Sequence, residues 1–172
     1  MPDEELLTTR LALRRPVSGD VDAIFAVHSD PRACAHNPSD ALVTRAEAAG
    51  LFVHWDEHWR SHGFGYYVVR RQDSAAPLGF CGVKFMSFRD RRILNLFYRL
   101  APVAWGDGVA REAATAVVAW AGERLPGEPV VARVRSDNTA SQRVAQGAGL
   151  IRASNLDGPG LDGFDQIYVR FW

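Results

Sequence analysis

The sequence predicts one α/β domain whose mostly antiparallel sheet is covered by helices. Three observations lead there. Strand-like and helix-like segments follow one another as strand, two helices, three strands, helix, strand, helix, two strands. No repeat or interdomain linker interrupts residues 1–172. At 172 residues, 47% hydrophobic and 23% charged, the chain suits one domain with a real core.

TTRLALRRPV (residues 8–17) alternates Leu11 and Leu13 with polar or small neighbours, which is a strand pattern. Ser18-Gly19-Asp20 then starts a helix through VDAIFAVHS, with Val21, Ile24, Phe25 and His28 at helical spacing. Asp30-Pro31 ends it, and residues 30–43, with two prolines, are expected as a loop or short helical turn beside a binding cleft. Thr44 caps a second helix with Glu47 as its capping-box partner; Ala48, Phe52, Trp55 and Trp59 share one face, and His62-Gly63 ends it. GYYVVRR, PLGFCGVKFMSF and ILNLFYRLAP form an antiparallel meander, with Arg89, Asp90, Arg91 and Arg92 at an exposed hairpin tip. From Gly108 to Leu125 the pattern is helical, with Ala113, Val117, Trp120 and Ala121 inward and Pro126-Gly127 as the stop. PVVARVRS is a buried strand, Asn138 to Gly147 a short helix, LIRAS a strand, DGPGLDG a flexible loop and FDQIYVRFW the last strand.

Twenty basic residues balance twenty acidic ones, so no overall field draws the chain to nucleic acid or to an anionic membrane, and neither is expected as a partner. Nineteen of the basic residues are Arg; Lys84 is the only lysine. Cys34 and Cys81 are too few and too far apart for a disulfide scaffold or an all-cysteine zinc site. MPDEELLTTR lacks a basic region followed by an apolar core, and no stretch approaches the length of a membrane span, so a cytoplasmic location is expected.

HWDEHW (residues 54–59) fits the H-x-x-E-H pattern of a zinc site, with His54 and His58 one helical turn apart. No third ligand accompanies them, so packing by Trp55 and Trp59 with half-exposed histidines is expected, and no metal.

WGDGVAREAATAVV (residues 105–118) places Gly106 and Gly108 directly before a helix N-terminus and after a strand that ends at Leu100-Ala101-Pro102. Glycines let the backbone turn tightly, and the first helical N–H groups, at the positive end of the dipole, have no internal partners. This is a pyrophosphate-binding arrangement or a plain tight turn, and Arg111 would add a charge-assisted contact in the first case.

WGDGVAREA also resembles the phosphate-binding motif of the GCN5-related N-acetyltransferases (GNAT), in the W-G-x-G-x-A-x-E-A form of the ribosomal-protein N-acetyltransferase (RimJ/RimL-like) branch. NTASQRVAQGAGL resembles that branch's N-x-x-S-x-x-V-x-x-x-x-G-L/F element, and the likeness runs from LTTRLALRRPV to the C-terminus. The resemblance implies the GNAT fold: a mixed, mostly antiparallel sheet of about seven strands with a splayed central pair, flanked by about four helices. It also implies acetyl-CoA as co-substrate and a primary amine as acceptor, either a protein N-terminus or a small molecule, attacked directly in a ternary complex. A homodimer is compatible with it.

Carried over by position, Trp105 takes the Q/R place and Gly108 and Ala110 the small-residue places. Amides of Gly106, Asp107, Gly108, Val109, Ala110 and Arg111 would hold the pyrophosphate, and Asn138 would meet the pantetheine arm. The backbone around Leu100 would pair with pantetheine beside a β-bulge. The helix carrying His54 and His58 would wall the acceptor site. Two positions depart from the pattern. Ala145 stands where many relatives have a Tyr that protonates the departing thiolate, leaving the hydroxyl of Ser141 for that role or for local hydrogen bonding. Asn95 stands where many have a Glu base, and Asn cannot take a proton. An acyl-CoA-binding sensor without strong catalysis is the alternative that these departures support.

Overall fold

The computed structural model describes residues 4–172; residues 1–3, the start of the acidic MPDEELLTTR segment, lie outside the described residues. Among the described residues nine strands and four α-helices follow in the order β1 (Leu6–Leu7), β2 (Leu11–Arg14), α1 (Val21–His28), α2 (Arg45–His62), β3 (Tyr66–Arg71), β4 (Pro77–Phe88), β5 (Arg91–Leu100), α3 (Val109–Arg124), β6 (Val130–Arg135), α4 (Thr139–Gly147), β7 (Ile151–Arg152), β8 (Gly158–Gly160) and β9 (Gly163–Arg170). They form one sheet in the order β1-β2-β3-β4-β5-β6-β9-β7, with β8 also on β9.

Side chains alternate across this sheet as strand geometry requires. Val68 and Phe80 face a cluster with Ile24, Ala48 and Trp55 from α1 and α2. Their neighbours Val69 and Cys81 face the larger cluster, with Ala113, Val117 and Ala121 of α3 and Ala145 of α4. Trp55 and Trp59 are buried at 3% and 5% exposure, so truncating either to Ala would cost roughly 3–5 kcal/mol. The capping box of α2 forms as read: Thr44 Oγ1 accepts from the Glu47 amide at 3.2 Å, and Glu47 Oε2 accepts from the Thr44 amide at 2.8 Å. Gly63, at φ +77°, ends that helix in the left-handed conformation.

Every strand pairing is antiparallel except β5 with β6. That parallel ladder holds at only two residue pairs, Leu94↔Val130 and Asn95↔Val131, and the Leu94 amide donates to the Pro129 carbonyl at 2.8 Å. Beyond Asn95 the two strands diverge. Peptide groups of alternate residues point to the same edge, so those of Leu96, Tyr98 and Leu100 face the gap with no strand opposite. The expected bulge is not what opens it. The β4–β5 register runs from Gly79↔Leu100 to Phe88↔Arg91 without a shift, and the register irregularity of this region lies in β3, between Val69 and Arg70.

Two short strands, β1 and β8, add to the expected seven. The DGPGLDG segment, expected as a flexible loop, folds back as β8 on β9, with Gly158↔Asp165 and Gly160↔Gly163. Asp157 fixes its start by pairing with Arg152 and accepting from the Ile167 amide at 2.9 Å, and a side chain at Gly160 would collide with Asp165.

Candidate active site

At the end of β5 the chain turns through Pro102–Ala104 and reaches α3 by way of Gly106 and Gly108, at φ +81° and +72°. The Glu112 amide donates to the Gly108 carbonyl at 3.0 Å as the first helical bond. The amides of Val109, Ala110 and Arg111 therefore have no partner inside the helix. Side chains from the opposite edge of the domain hold this turn. Glu112 accepts from Thr8 Oγ1 at 2.6 Å, the Arg10 amide at 2.9 Å and Arg10 Nε at 2.7 Å. Partial burial would raise the Glu112 pKa, but these bonds outweigh it and keep the carboxyl below its usual range. Asp107 pairs with Arg71 at 2.6 Å and Arg10 at 3.3 Å, which turns its side chain away from the cleft.

A cleft of about 1160 Å³ runs from this turn along the β5/β6 gap to α1 and the segment before α2. Of the residues singled out in the sequence, Leu100, Trp105, Gly106, Gly108, Val109, Ala110, Arg111, Asn138, Ser141 and Asn95 all line it, and the Asp107 side chain does not. Several are already partly engaged. Trp105 Nε1 donates to the Leu100 carbonyl at 3.1 Å, which occupies one of the two main-chain groups Leu100 turns to the gap. Asn138 caps α4 by accepting from the Ser141 amide at 3.1 Å, so its Nδ2 is the end left for a ligand. The Arg111 stem lies beside Gly147, where a Cβ would come within 2.6 Å of Arg111 Nε, and its guanidinium has no ion pair among the described residues.

Ser141 meets a residue that motif reading passed over. The Tyr98 hydroxyl lies 2.7 Å from Ser141 Oγ and 2.8 Å from the Ser141 carbonyl, bridging β5 to α4. Burial raises the Tyr98 pKa, so the phenol stays protonated. Ala145, by contrast, is fully buried in the main core and has no access to the cleft.

Across the sheet, Asn95, Phe97 and Arg99 share the other face of β5. Asn95 Nδ2 donates to the Tyr66 hydroxyl at 2.9 Å, leaving its carbonyl oxygen free to accept. Lys84 stands opposite Asn95 in the β4–β5 register, with Nζ 5.8 Å from the Tyr66 ring centre. Arg99 is buried beside Phe97 and donates from Nη2 to Asp40 at 3.1 Å; its Nη1 is buried with no partner among the described residues. His28 is buried and lines the same end. Burial first, then the nearby Arg99 charge, lower its pKa to about 4, so the ring is neutral at physiological pH, with Nδ1 donating to the Ile24 carbonyl at 2.9 Å.

The HWDEHW histidines lie elsewhere. His58 Nδ1 donates to the Phe64 carbonyl at 2.8 Å and Nε2 accepts from the Phe85 amide at 3.1 Å, so both nitrogens are in use. His54 is exposed beside Glu57. Neither lines the cleft, which corrects their expected place in the acceptor wall; α2 reaches the cleft through Leu51 and Trp55 instead. Among the described residues no three His, Cys, Asp or Glu side chains are grouped to hold a metal. The Asn95-x-Phe97-x-Arg99 alternation on β5 was a signal in the sequence that could have located this face of the cleft. Tyr98 follows from no motif, because its partner comes from another element.

Residues 10–151 match the family described as the acetyltransferase (GNAT) domain. Among known proteins, the uncharacterized N-acetyltransferase YoaA of Bacillus subtilis (strain 168) is 25% identical over 139 residues, which cover 81% of this chain and 78% of that one. The crystal structure of an acetyltransferase from Agrobacterium tumefaciens str. C58 has a TM-score of 0.81 at 25% identity and spans 97% of this chain and 94% of its own. Spermidine N-acetyltransferase from Vibrio cholerae, in complex with CoA and spermine, has a TM-score of 0.73 at 15% identity, over 95% of this chain and 96% of that one.

Proposed function

The chain belongs to the acetyltransferase (GNAT) family, and from that premise we propose that it transfers an acetyl group from acetyl-CoA to a primary amine by direct attack in a ternary complex. The observation that carries this reading is the junction of two unsatisfied backbone surfaces in one cleft. The amide-rich N-terminus of α3 supports pyrophosphate binding, and the gap-facing peptide edge of β5 supports a strand-like pantetheine arm. Amides from Gly106 to Arg111 and the free Arg111 guanidinium hold the phosphates, and Asn138 Nδ2 meets the arm.

Catalysis on this arrangement is chiefly placement. A peptide N–H on the open β5 edge, from Leu96 or Tyr98, polarises the thioester carbonyl. The Asn95 carbonyl oxygen, steadied by the Tyr66 bond, accepts from the attacking amine and orients it. The departing thiolate takes a proton from the Ser141 hydroxyl, held by Tyr98, while the acylated amine loses its proton to solvent, from which the hydroxyl is restored. The form of the phosphate and α4 motifs favours the ribosomal-protein branch, hence an α-amine acceptor. Among the described residues no helix is long and apolar enough to cross a membrane. The cytoplasm is the proposed place of the reaction.

Asn95 also favours a second reading, an acyl-CoA-binding sensor or partner module with little turnover. Calorimetry with acetyl-CoA, followed by thiol release across a panel of amines, separates the two. Binding with thiol release for at least one amine supports the transferase. Binding with none supports the sensor, and absence of binding removes both.

A further inference from the structure

The charges lining the cleft form an uneven inventory. Three carboxylates line it, and each is engaged: Asp40 by Arg99 at 3.1 Å, Asp162 by the Ser39 hydroxyl at 2.6 Å and amide at 2.9 Å, and Asp165 by Arg133 at 3.2 Å. Among the cations, Arg32 is held by Asp30, and Arg99 and Arg133 by the acids just named. Two have no counter-ion among the described residues, Arg111 and Lys84. Arg111 lies at the phosphate end. Lys84 lies at the other end, among Asn95 and Tyr66, where the β5/β6 ladder stops and the gap begins.

A half-buried ammonium with no carboxylate near it is costly to keep, since burial disfavours its charge and only an aromatic face offsets that cost. Burial does lower the Lys84 pKa. Four residues further along the same face of β5, Arg99 keeps one guanidinium nitrogen without a partner among the described residues. A polycation would meet engaged acids and a surplus of positive charge there; an anion would meet an ammonium in need of a partner.

We propose that Lys84 binds a carboxylate of the acceptor, so that the preferred substrate is an amine bearing a carboxylate close to the reacting nitrogen. This rests on the acetyltransferase reading and narrows its acceptor class. Two sources share that chemistry, the α-carboxylate of a free amino acid and the side chain of an acidic first residue in a peptide. Lys84 acts by charge-assisted hydrogen bonding to the carboxylate, which seats the amine beside Asn95.

The test uses two matched pairs, alanine against alaninamide and Asp-Ala-amide against Asn-Ala-amide, with kcat/KM read by thiol release and referred to the neutral fraction of each amine. A charge-assisted contact predicts a preference of roughly tenfold or more for the carboxylate member of at least one pair. The pair that shows it identifies the source. In Lys84→Met that ratio is expected to fall to within about twofold, chiefly through KM, and in Lys84→Arg to be largely retained. Calorimetry with acetyl-CoA establishes that both variants are folded. A wild-type ratio near one in both pairs, or a ratio that survives Lys84→Met, overturns the inference while leaving the transferase standing. Acetyl-CoA binding without thiol release from any amine overturns the transferase reading and this inference with it.

Discussion

At the end of the cleft proposed for phosphate the groups that line it are peptide amides, fixed by helix α3 and by the Glu112, Arg10 and Asp107 contacts behind them. At the end proposed for the acceptor they are side chains from α1, β3, β4, β5 and the segment before α2, most of them committed to one another. The first surface suits a ligand part that never varies, because backbone presents the same groups whatever the side chains. The second can be retuned one residue at a time without disturbing the sheet. Mutations should therefore behave differently at the two ends.

The largest effect is expected at Gly108. Its φ of +72° costs a residue with a Cβ roughly 1–2 kcal/mol. Space is not the obstacle, since the nearest atom to an added Cβ is Arg10 Nη2 at 3.6 Å. In Gly108→Glu the strain combines with a negative charge beside phosphate, and acetyl-CoA affinity should fall by about a hundredfold or more. A folded variant that binds acetyl-CoA in calorimetry as the parent does would break the contrast drawn above.

Glu112→Gln tests the support behind the turn. Weakening a carboxylate that accepts three hydrogen bonds should cost about 1–3 kcal/mol of stability and raise the acetyl-CoA Kd up to about tenfold. Because the folded pKa of Glu112 is depressed, this stabilisation is fully present above its unfolded value, about 4.3, and is lost as pH falls through the folded value. The gap in Tm between parent and variant should therefore narrow in acid. A gap that stays constant down to pH 3 would show that the carboxylate charge is not what holds the turn.

The same contrast explains what the sequence could and could not reveal. The turn into α3 passes through two left-handed positions that glycine adopts without strain, and Gly106 and Gly108 mark it at fixed spacing from Arg111. The capping box of α2 and the meander of β3 to β5 are equally local and equally legible. Contacts between distant elements are not: Glu112 with Thr8, Tyr98 with Ser141 and Arg99 with Asp40 each join residues at least 43 positions apart. No periodicity records such a meeting. β8 escaped notice because its Gly-Pro-Gly composition is that of a turn, and it is a strand only through its pairing with β9.

The acceptor end gives a smaller and more conditional effect. Asn95 cannot take a proton, and His28, with a pKa lowered to about 4, is a weak base. On the proposed reaction the amine must then arrive largely neutral. An α-amine with a pKa of about 8 is favoured over an alkyl amine near 10.4 by roughly two orders of magnitude in reactive fraction at neutral pH. With two acceptors of different amine pKa, the inflection in kcat/KM against pH should move with the acceptor. An inflection fixed near neutrality would instead expose an enzyme base, and His36, which lines the cleft, would be the first histidine to replace.

The smallest effect on activity is expected where the sequence looked most like a metal site. His54→Ala removes an exposed ring and should change neither stability nor acetyl-CoA affinity measurably. His58→Ala strands the Phe64 carbonyl and the Phe85 amide, at a cost of about 1–3 kcal/mol, yet lies outside the cleft and should leave acetyl-CoA affinity within about twofold. Its pH signature follows from its bonding. Burial is the first cause of the lowered His58 pKa, and because Nε2 must accept from Phe85 the folded state holds the ring neutral. That contribution is present above the unfolded value of about 6.5 and is lost as pH falls through the folded one, so the stability gap between parent and His58→Ala should shrink in mild acid. Stoichiometric zinc in the purified parent, lost when His54→Ala and His58→Ala are combined, would reverse this assignment, since a bound cation would have to displace the Phe85 amide from Nε2.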